Sequence, residues 1–431
     1  MLNIIKEKYG SKMTKDVVWT FIIQMIIMLC SFIITKLLSN RLNMDEFGQY
    51  NLIKRSIQVL SFMMLAGVGI TLPRYIPLYQ KGIPRKSIFP LMKASLIFIL
   101  CVSLLVCLFC GLFRGEVQQL IIGDSDNNLL YTIILAYAFL LALTQFTYAY
   151  YRGISNFKWY NGAQLGLQLA IIIPLIFLPI LTTKHVFASW LVITGAFVAF
   201  CWGRELWSKN WVKSSRLHNK WNTSLLDELK IIVRYSSGRL LADFFLFSLS
   251  AFPLIYISHQ QGFQATAHFS VGMTFVTIVT TLFSFMGIIL LPFVSQCIAK
   301  NEIKKACNFI NQLLVLYISA AFLISIPFYL FTDFLTSLFF SEEYLVTKDL
   351  SHILLLSILP QALYLLYRNP IDAISIIPYN TIILCICLTV MVFTFSFSQS
   401  ITYIAWAYFI VSLLQGGLSW FTWTILKHKG T

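Results

Sequence analysis

The chain has 431 residues, of which 58% are hydrophobic and only 11% are charged. A water-soluble domain carries about 25% charged residues and could not bury this much apolar surface, so the composition excludes a soluble fold and indicates that lipid is the solvent. In a soluble protein the net charge of +15 would suggest nucleic acid. Here it indicates membrane topology, because the basic residues fall mostly in every second loop, and no nucleic-acid partner is predicted.

Twelve apolar segments are long enough to cross a bilayer, which takes about 20 residues per helix. They are 17–38, 51–73, 88–113, 129–151, 160–181, 186–207, 231–257, 267–294, 307–332, 350–368, 374–397 and 401–426. The run 17–38 is too long for a signal-peptide core and has no small-residue cleavage site, so it is predicted to remain as the first span. Short polar gaps separate the fifth span from the sixth and the eleventh from the twelfth.

The distribution of lysine and arginine predicts the orientation. With the N-terminus in the cytoplasm, and with Lys36, Arg204 and Arg368 at span ends counted with the adjoining loops, the cytoplasmic side holds 22 basic residues and the outer side holds 5. The positive-inside rule then places both termini in the cytoplasm and supports an even number of spans.

The longest polar linker divides the chain into two halves. We predict an all-α integral membrane protein with about 12 transmembrane helices in two six-helix bundles. The predicted segments are a cytoplasmic tail 1–16, an N-terminal bundle 17–207, a cytoplasmic linker 208–230, a C-terminal bundle 231–426 and a cytoplasmic tail 427–431. Every loop is too short to fold as a catalytic domain.

An internal repeat links the halves. Tyr50 lies 23 residues before Pro73, and Phe269 lies 23 residues before Pro292, an offset of 219 residues. At the same offset, three basic residues of the first half align with three of the second: Lys81, Arg85 and Lys86 with Lys300, Lys304 and Lys305. The pattern indicates two copies of one membrane unit, as in many transporters.

Charges within spans are candidate functional residues, because each costs about 2.5–3.5 kcal/mol in the hydrocarbon core. Arg239 and Asp243 are four residues apart and share one helix face. They are interpreted either as a cationic cavity lining with a tuning or proton-coupling carboxylate, or as an ion pair between helices. Arg234, Lys54 and Arg55 are further cationic candidates, whose alternative role is to extend to the headgroups.

Glycine and proline residues mark candidate hinges. Gly67, Gly69 and Pro73 lie together near the end of the second span, and Pro292 is the matching proline of the second copy. A proline in a helix removes a backbone donor and permits a kink. Close helix packing is the alternative explanation for the glycines.

The chain carries no recognisable enzyme motif. It has no nucleotide-binding Walker loop, no HExxH and no GxSxG. Cys107 and Cys110 form a CxxC, but no second CxxC or histidine pair lies nearby, and the histidines show no ligand spacing. The sequence therefore predicts a non-enzymatic protein with no cofactor and no metal. Transport would use an ion gradient or the gradient of the substrate.

Five short motifs carry a family resemblance. They are Glu46–Tyr50, Gly67–Gly69 leading to Pro73–Tyr75, Arg234–Tyr235 with Gly238–Arg239, Phe269–Val271, and Leu291–Pro292. With them the chain resembles the polysaccharide transporter branch of the multidrug/oligosaccharidyl-lipid/polysaccharide flippase superfamily, the O-antigen flippases in particular. The resemblance implies two bundles around a central cavity that opens to one side at a time.

The resemblance also implies a substrate, a short oligosaccharide linked through pyrophosphate to a polyprenol. The protein would move it from the inner to the outer leaflet of the bacterial inner membrane, for O-antigen, lipopolysaccharide or a similar surface polysaccharide. Its further partners would be the polymerase and chain-length machinery of the same pathway. Arginine suits the pyrophosphate, and a polar path for the sugars is predicted from Gln24, Gln145, Gln164, Gln168 and Asn161.

Other functions make different demands on the sequence. A multidrug extruder of the same superfamily binds cations and would carry more acids within its spans. A flippase for lipid-linked peptidoglycan precursors would have fourteen spans. An O-antigen polymerase or ligase, which is an enzyme, would show a large outer loop with paired arginines. A passive channel or scaffold is a further alternative.

Overall fold

A computed structural model describes residues 2–81, 87–123, 127–178, 182–206, 225–299, 302–375, 377–397 and 399–429. Within these ranges the regular structure is helical, and there are no strands. Some side chains within the helices fall outside the described part, among them those of residues 2–18, Arg239 and Pro292.

The described ranges contain seventeen helices, one of them a 3-10 helix. They are Leu2–Arg41, Met44–Leu65, Val68–Lys81, Phe89–Leu112, Arg114–Ile122, Asn128–Gly153, Phe157–Ala170, Ile173–Phe177, Thr183–Leu206, Leu225–Ala299, Ile303–Leu330, Thr332–Phe339, the 3-10 helix Glu342–Thr347, Lys348–Leu355, Ile358–Ile374, Tyr379–Phe395 and Ile401–Lys429.

These helices account for all twelve predicted spans. In the described ranges, eight helices are long and apolar enough to cross a membrane, and two bent helix pairs bring the number to ten. The helix Leu225–Ala299 is interrupted at Gly262 (φ 85°, ψ −176°) and so supplies both the seventh and the eighth span. The shorter apolar helix Tyr379–Phe395 supplies the eleventh. The predicted all-α membrane fold is confirmed.

Large apolar side chains cover the outward faces of several spans. Leu104 and Leu105 of the third span are 61% and 65% exposed, and Leu323 of the ninth span is 74% exposed. Such surfaces are unfavourable in water and are the normal surface of a protein in lipid.

The first compact unit comprises Met1–Arg41 and Ile53–Phe244. Its centre is the fourth span, Asn128–Gly153, which packs against Val68–Lys81, Phe157–Ala170 and Thr183–Leu206, while the first span packs along the fifth. Many small residues and aromatic rings of the fourth span are buried, including Tyr150 and Tyr151.

The second compact unit comprises Leu42–Leu52 and Phe245–Thr431. Here the twelfth span, Ile401–Lys429, packs against Lys348–Leu355, Ile358–Ile374 and Tyr379–Phe395. The boundary predicted at the linker 208–230 remains a prediction, because residues 207–224 lie outside the described ranges.

The second span starts earlier than predicted. The sequence analysis began it at residue 51, whereas the helix begins at Met44. The side chain of Asn43 accepts a hydrogen bond from the Glu46 amide at 2.7 Å, and Asp45 and Glu46 occupy the first turn. Capping and acidic residues both stabilise a helix N-terminus, so polar residues that suggested a loop instead open the helix.

Candidate functional site

The second span is broken in its middle. Ala66 and Gly67 have positive φ angles of 52° and 74°, and the helices on either side are bent by 43°. A Cβ atom on Gly67 would lie 2.8 Å from the carbonyl oxygen of Ser236, so both conformation and space require glycine. Of the predicted hinge residues, Gly67 is at the break, and Gly69 and Pro73 lie within the next two turns. The motion itself remains a prediction.

Pro73 leaves a backbone acceptor for another partner. A proline has no N–H, so it cannot bond the carbonyl four residues earlier in a helix. That carbonyl belongs to Gly69, and Arg152 Nη2 of the fourth span donates to it at 3.0 Å. The arginine therefore supplies the hydrogen bond that the proline removes.

The helix after the break, Val68–Lys81, which we call the half-helix, is bonded along its length to the start of the seventh span. The hydroxyls of Thr71 and Ser236 lie 2.7 Å apart, and Arg74 Nη1 donates to the Tyr235 hydroxyl at 2.7 Å. The Arg74 guanidinium also lies 4.5 Å from the centre of the Tyr235 ring. These contacts fix the half-helix to one neighbour.

Tyr79 makes a third contact between the half-helix and the helix Leu225–Ala299, and this contact is buried. The Tyr79 hydroxyl donates to Glu228 Oε2 at 2.7 Å, and Glu228 is only 2% exposed. Burial, and secondly the hydrogen bond to this carboxylate, raise the pKa of Tyr79 above its usual value. The phenol therefore stays protonated and serves as a donor to the buried acid.

A third arginine lies at the end of the sixth span. Arg204 is 3.5 Å from the centre of the Trp159 ring and pairs with Glu205 at 2.8 Å. Glu205 is 5% exposed and also accepts from the Tyr150 hydroxyl at 3.2 Å. We use the name inner cluster for Arg74, Arg152, Arg204, Tyr79, Glu205 and Glu228, because the predicted topology places these helix ends towards the cytoplasm.

The inner cluster was missed from the sequence. Arg74, Arg152 and Arg204 were counted there as topology signals in cytoplasmic segments, whereas each makes contacts within the first unit. A signal was available, since Arg152 directly follows two tyrosines and Arg204 comes two residues after Trp202. Arginine beside aromatic rings is a frequent stabilising arrangement.

Polar side chains form a second feature of the first unit, between the first and fifth spans. Asn161 Nδ2 donates to Thr20, Gln24 donates to Gln164, and Gln168 donates to Ser31. We call these three pairs the amide ladder. The residue numbers of both partners increase together along the three pairs, so the first and fifth spans run in the same direction. This is expected of two odd-numbered spans.

The amide ladder contains four of the five residues predicted to form a polar path. Gln145 lies on the fourth span and takes no part in it. Asn161 is 2% exposed, and its Oδ1 atom has no hydrogen-bond partner among the described residues. Gln164 also donates to the Tyr160 hydroxyl at 3.2 Å, and Arg152 lies 5.7 Å from the centre of that ring. Tyr160 thus connects the ladder with the inner cluster.

The remaining predicted site residues are dispersed. Lys54 and Arg55 are half-buried. They lie ten and eleven residues after Met44, about 15 Å along the helix at roughly 1.5 Å per residue. This corrects their predicted place near the entrance of the second span, because the helix starts earlier. Arg234 is exposed and Asp243 is half-buried, while the Arg239 side chain lies outside the described part. Helix Leu225–Ala299 continues through Pro292.

The Glu46–Tyr50 motif belongs to the second unit and is a packing element. Phe47 is 1% exposed and its ring lies 5.4 Å from that of Tyr344 and 6.2 Å from that of Phe340. A Cβ atom on Gly48 would lie 1.9 Å from the carbonyl oxygen of Phe263. The motif therefore permits close helix packing and contributes no exposed charge to a site.

The described residues contain no group of three His, Cys, Asp or Glu side chains that could hold a metal ion. The first unit contains three kinds of group that could bind a ligand: arginine donors, aromatic rings and side-chain amides. Arginines bind anions, and side-chain amides bind sugar hydroxyls, by hydrogen bonding.

Solved transporter structures share this fold. A point mutant of the Vibrio cholerae MATE transporter VcmN matches with a TM-score of 0.70 at 15% identity over 96% of this chain and 98% of that one. A Pyrococcus furiosus transporter of the MOP superfamily, whose structure is described as having a binding pocket of reverse polarity that suggests a different function, matches with a TM-score of 0.69 at 12% identity over 95% of this chain and 94% of that one. The chain has the fold of MOP superfamily transporters.

Family models give the closer assignment. The model described as Polysaccharide biosynthesis protein matches residues 13–296, about two thirds of the chain. The chain therefore belongs to the polysaccharide biosynthesis protein family, which confirms the resemblance read from the sequence. The MatE model matches residues 240–398, and no curated relative matches. The protein is a multi-pass membrane protein with the fold of MOP superfamily transporters.

Proposed function

We propose that the protein is a flippase that moves a polyprenyl-pyrophosphate-linked oligosaccharide from the inner to the outer leaflet by alternating access. The main support for this proposal is that the first unit contains both the amide ladder and arginines that, among the described residues, have no carboxylate partner. Neither Arg74 nor Arg152 has a carboxylate within 4 Å among the described residues. Membership of the polysaccharide biosynthesis family supports the same substrate class.

The arginines suit the phosphate part of this substrate. A guanidinium donates two parallel hydrogen bonds to phosphate oxygens, and these charge-assisted bonds are about twice as strong as neutral ones. Buried acids of the inner cluster are already bonded, Glu205 to Arg204 and Glu228 to Tyr79. Lys54, Arg55, Arg234 and Arg239 remain proposed contacts for the anion, with Asp243 as the proposed ion-pair or proton-coupling residue.

The amide ladder suits the sugar part. Glutamine and asparagine side chains both donate and accept, as sugar hydroxyls do. Each interhelical bond of this kind contributes only about 0.6 kcal/mol in a membrane protein, so a hydroxyl group of comparable bonding capacity can replace it at little cost. During transport, the amide side chains would break their bonds with one another and form hydrogen bonds with the sugar hydroxyls.

The cellular setting follows from the same proposal. The protein acts in the bacterial inner membrane with both termini in the cytoplasm. It delivers its substrate to the polymerase and chain-length machinery of O-antigen or a similar polysaccharide. In this scheme an ion gradient or the substrate gradient supplies the energy.

Deletion of the gene tests the proposal. We expect loss of surface polysaccharide and accumulation of single lipid-linked repeat units in the inner leaflet, with both reversed by the intact gene. Complementation with Arg239→Ala is expected to fail at normal protein level, and Arg239→Lys to restore part of the transport. Intact surface polysaccharide in the deletion strain would refute the flippase. Full activity of Arg239→Ala would refute only the role of that residue.

A multidrug extruder is the second candidate, and one observation favours it. The MatE model matches residues 240–398, and this range contains the half-buried Asp243, an acid suited to a cationic substrate. If the protein is an extruder, deletion should increase sensitivity to cationic drugs and leave the surface polysaccharide unchanged. Asp243→Asn should then abolish drug resistance. Unchanged drug sensitivity would exclude this function.

A further inference from the structure

Arg152 is bonded less completely than the other arginines of the inner cluster. It is half-buried, and its Nε atom is buried without a hydrogen-bond partner among the described residues. Among the described residues, its hydrogen-bond acceptor is the Gly69 carbonyl, at 3.0 Å. Arg204, by contrast, has the Glu205 carboxylate at 2.8 Å and the Trp159 ring at 3.5 Å.

The bond that Arg152 does make is replaceable. A neutral carbonyl is a weaker acceptor for a guanidinium than an anionic oxygen. The Gly69 carbonyl is open to Arg152 because Pro73 carries no N–H, and it lies two residues after the backbone break at Gly67. The same contact therefore satisfies the arginine and holds the backbone next to the bend.

We propose that Arg152 binds a phosphate oxygen of the lipid-linked substrate in exchange for the Gly69 carbonyl, and so couples substrate binding to the bend in the second span. This inference rests on the proposed function and adds a phosphate-binding residue to it. The ligand class is a phosphate or pyrophosphate ester of a long-chain alcohol.

The exchange changes what holds the half-helix. With Arg152 on the substrate, the bonds to the seventh span through Thr71, Arg74 and Tyr79 persist, whereas the tie to the fourth span at Gly69 is released. The backbone between Leu65 and Val68 then has one constraint fewer on its angle, while the side-chain packing of the half-helix on the fourth span remains. Binding of an anion thereby shifts a conformational equilibrium, because one state alone offers Arg152 to the ligand.

Binding of farnesyl pyrophosphate to the full-length protein in nanodiscs tests the exchange, with farnesol as the uncharged probe. Loss of a charged hydrogen bond is worth about 1.5–3 kcal/mol, so Arg152→Gln should weaken binding of farnesyl pyrophosphate by roughly tenfold to a hundredfold and leave farnesol unaffected. Arg204→Gln is the matched control and should change binding by less than about threefold, because its charge is already paired. Equal binding of the pyrophosphate by Arg152→Gln and the unmodified protein would overturn the inference.

Pro73→Ala separates phosphate binding from a purely structural cap. The alanine N–H can bond the Gly69 carbonyl, so Arg152 is released. We expect tighter binding of farnesyl pyrophosphate by Pro73→Ala, and loss of that gain when Arg152→Gln is added. If Arg152 only caps the carbonyl, adding Arg152→Gln to Pro73→Ala will leave binding unchanged, and the inference is wrong.

Hydrogen exchange provides the conformational readout. Farnesyl pyrophosphate should accelerate amide exchange in residues 66–72 of the unmodified protein and have no such effect in Arg152→Gln. No acceleration in the unmodified protein would refute the coupling. If the unmodified protein fails to prefer farnesyl pyrophosphate over farnesol, the proposed function fails as well. If it prefers the pyrophosphate and Arg152→Gln does too, only this inference fails.

Discussion

The second and eighth spans are counterparts in the predicted repeat, and they differ in both backbone and charge. The second span is bent by 43° at Ala66 and Gly67, while the eighth continues as a helix from Phe263 to Ala299. At an offset of 219, the cations Lys54, Arg55 and Arg74 correspond to the neutral residues Met273, Thr274 and Phe293.

Three threonines of the eighth span bond within their own helix. The hydroxyls of Thr274, Thr277 and Thr280 each donate to a carbonyl one turn earlier in the same helix, at 2.7–2.9 Å. In the second span Asn51 and Ser61 also bond to carbonyls of their own helix, whereas Thr71 and Arg74, after the break, contact the seventh span. The comparison teaches that matching positions of the predicted repeat differ both in backbone conformation and in charge.

The largest expected effect comes from filling the break in the second span. Gly67→Val places a β-branched residue at φ 74° with its Cβ 2.8 Å from the Ser236 carbonyl oxygen. Backbone strain and overpacking each cost about 1–3 kcal/mol. We expect a clear loss of thermal stability in detergent. Gly417→Ala is the control, since its Cβ would have no heavy atom within 4 Å. Equal stability of both variants would contradict the geometry of the break.

Removal of the buried donor at the end of the half-helix should cost less. Tyr79→Phe deprives the Glu228 carboxylate of a hydrogen bond, which is worth about 1–3 kcal/mol for a buried group. The matched control is Tyr75→Phe, because the Tyr75 hydroxyl makes no hydrogen bond among the described residues. Unfolding measured by tryptophan fluorescence should separate the two variants. Similar stability would show that the half-helix is not held through Tyr79.

Replacing the cations of the second span by the neutral residues of the eighth should have the smallest effect on stability and a clear effect on transport. Lys54→Met and Arg55→Thr give the second span the residues of the eighth. Loss of a charged contact of about 1.4 kcal/mol would reduce flipping roughly tenfold in proteoliposomes. Stability should change little, because removing a charge from a membrane span offsets the contacts that the side chain loses. Thr274→Val is the control in the eighth span. If Lys54→Met and Arg55→Thr both transport normally, the two cations contribute to packing alone.

The sequence allowed the twelve spans to be predicted because each is a long apolar run, and this signal is local. The start of the second span was wrong by seven residues, since Asp45 and Glu46 are equally typical of a loop and of a capped helix. Gly67 was recognisable as a special position, because its neighbours include Gly69 and Pro73. The sequence alone could not show that Arg152 satisfies the carbonyl freed by Pro73, as this bond joins residues 83 positions apart.

The amide ladder has a consequence for how the protein is made. Its partners lie 137–141 residues apart. Synthesis at roughly 5–20 residues per second leaves the first span without its fifth-span partners for roughly 7–30 s. During that interval the Gln24 amide lacks its Gln164 partner within the bilayer, and unsatisfied polar groups there are costly. The first span therefore reaches its full stability in the membrane only after the fifth span has inserted beside it. Until then, biogenesis depends on other contacts that keep its polar groups away from lipid.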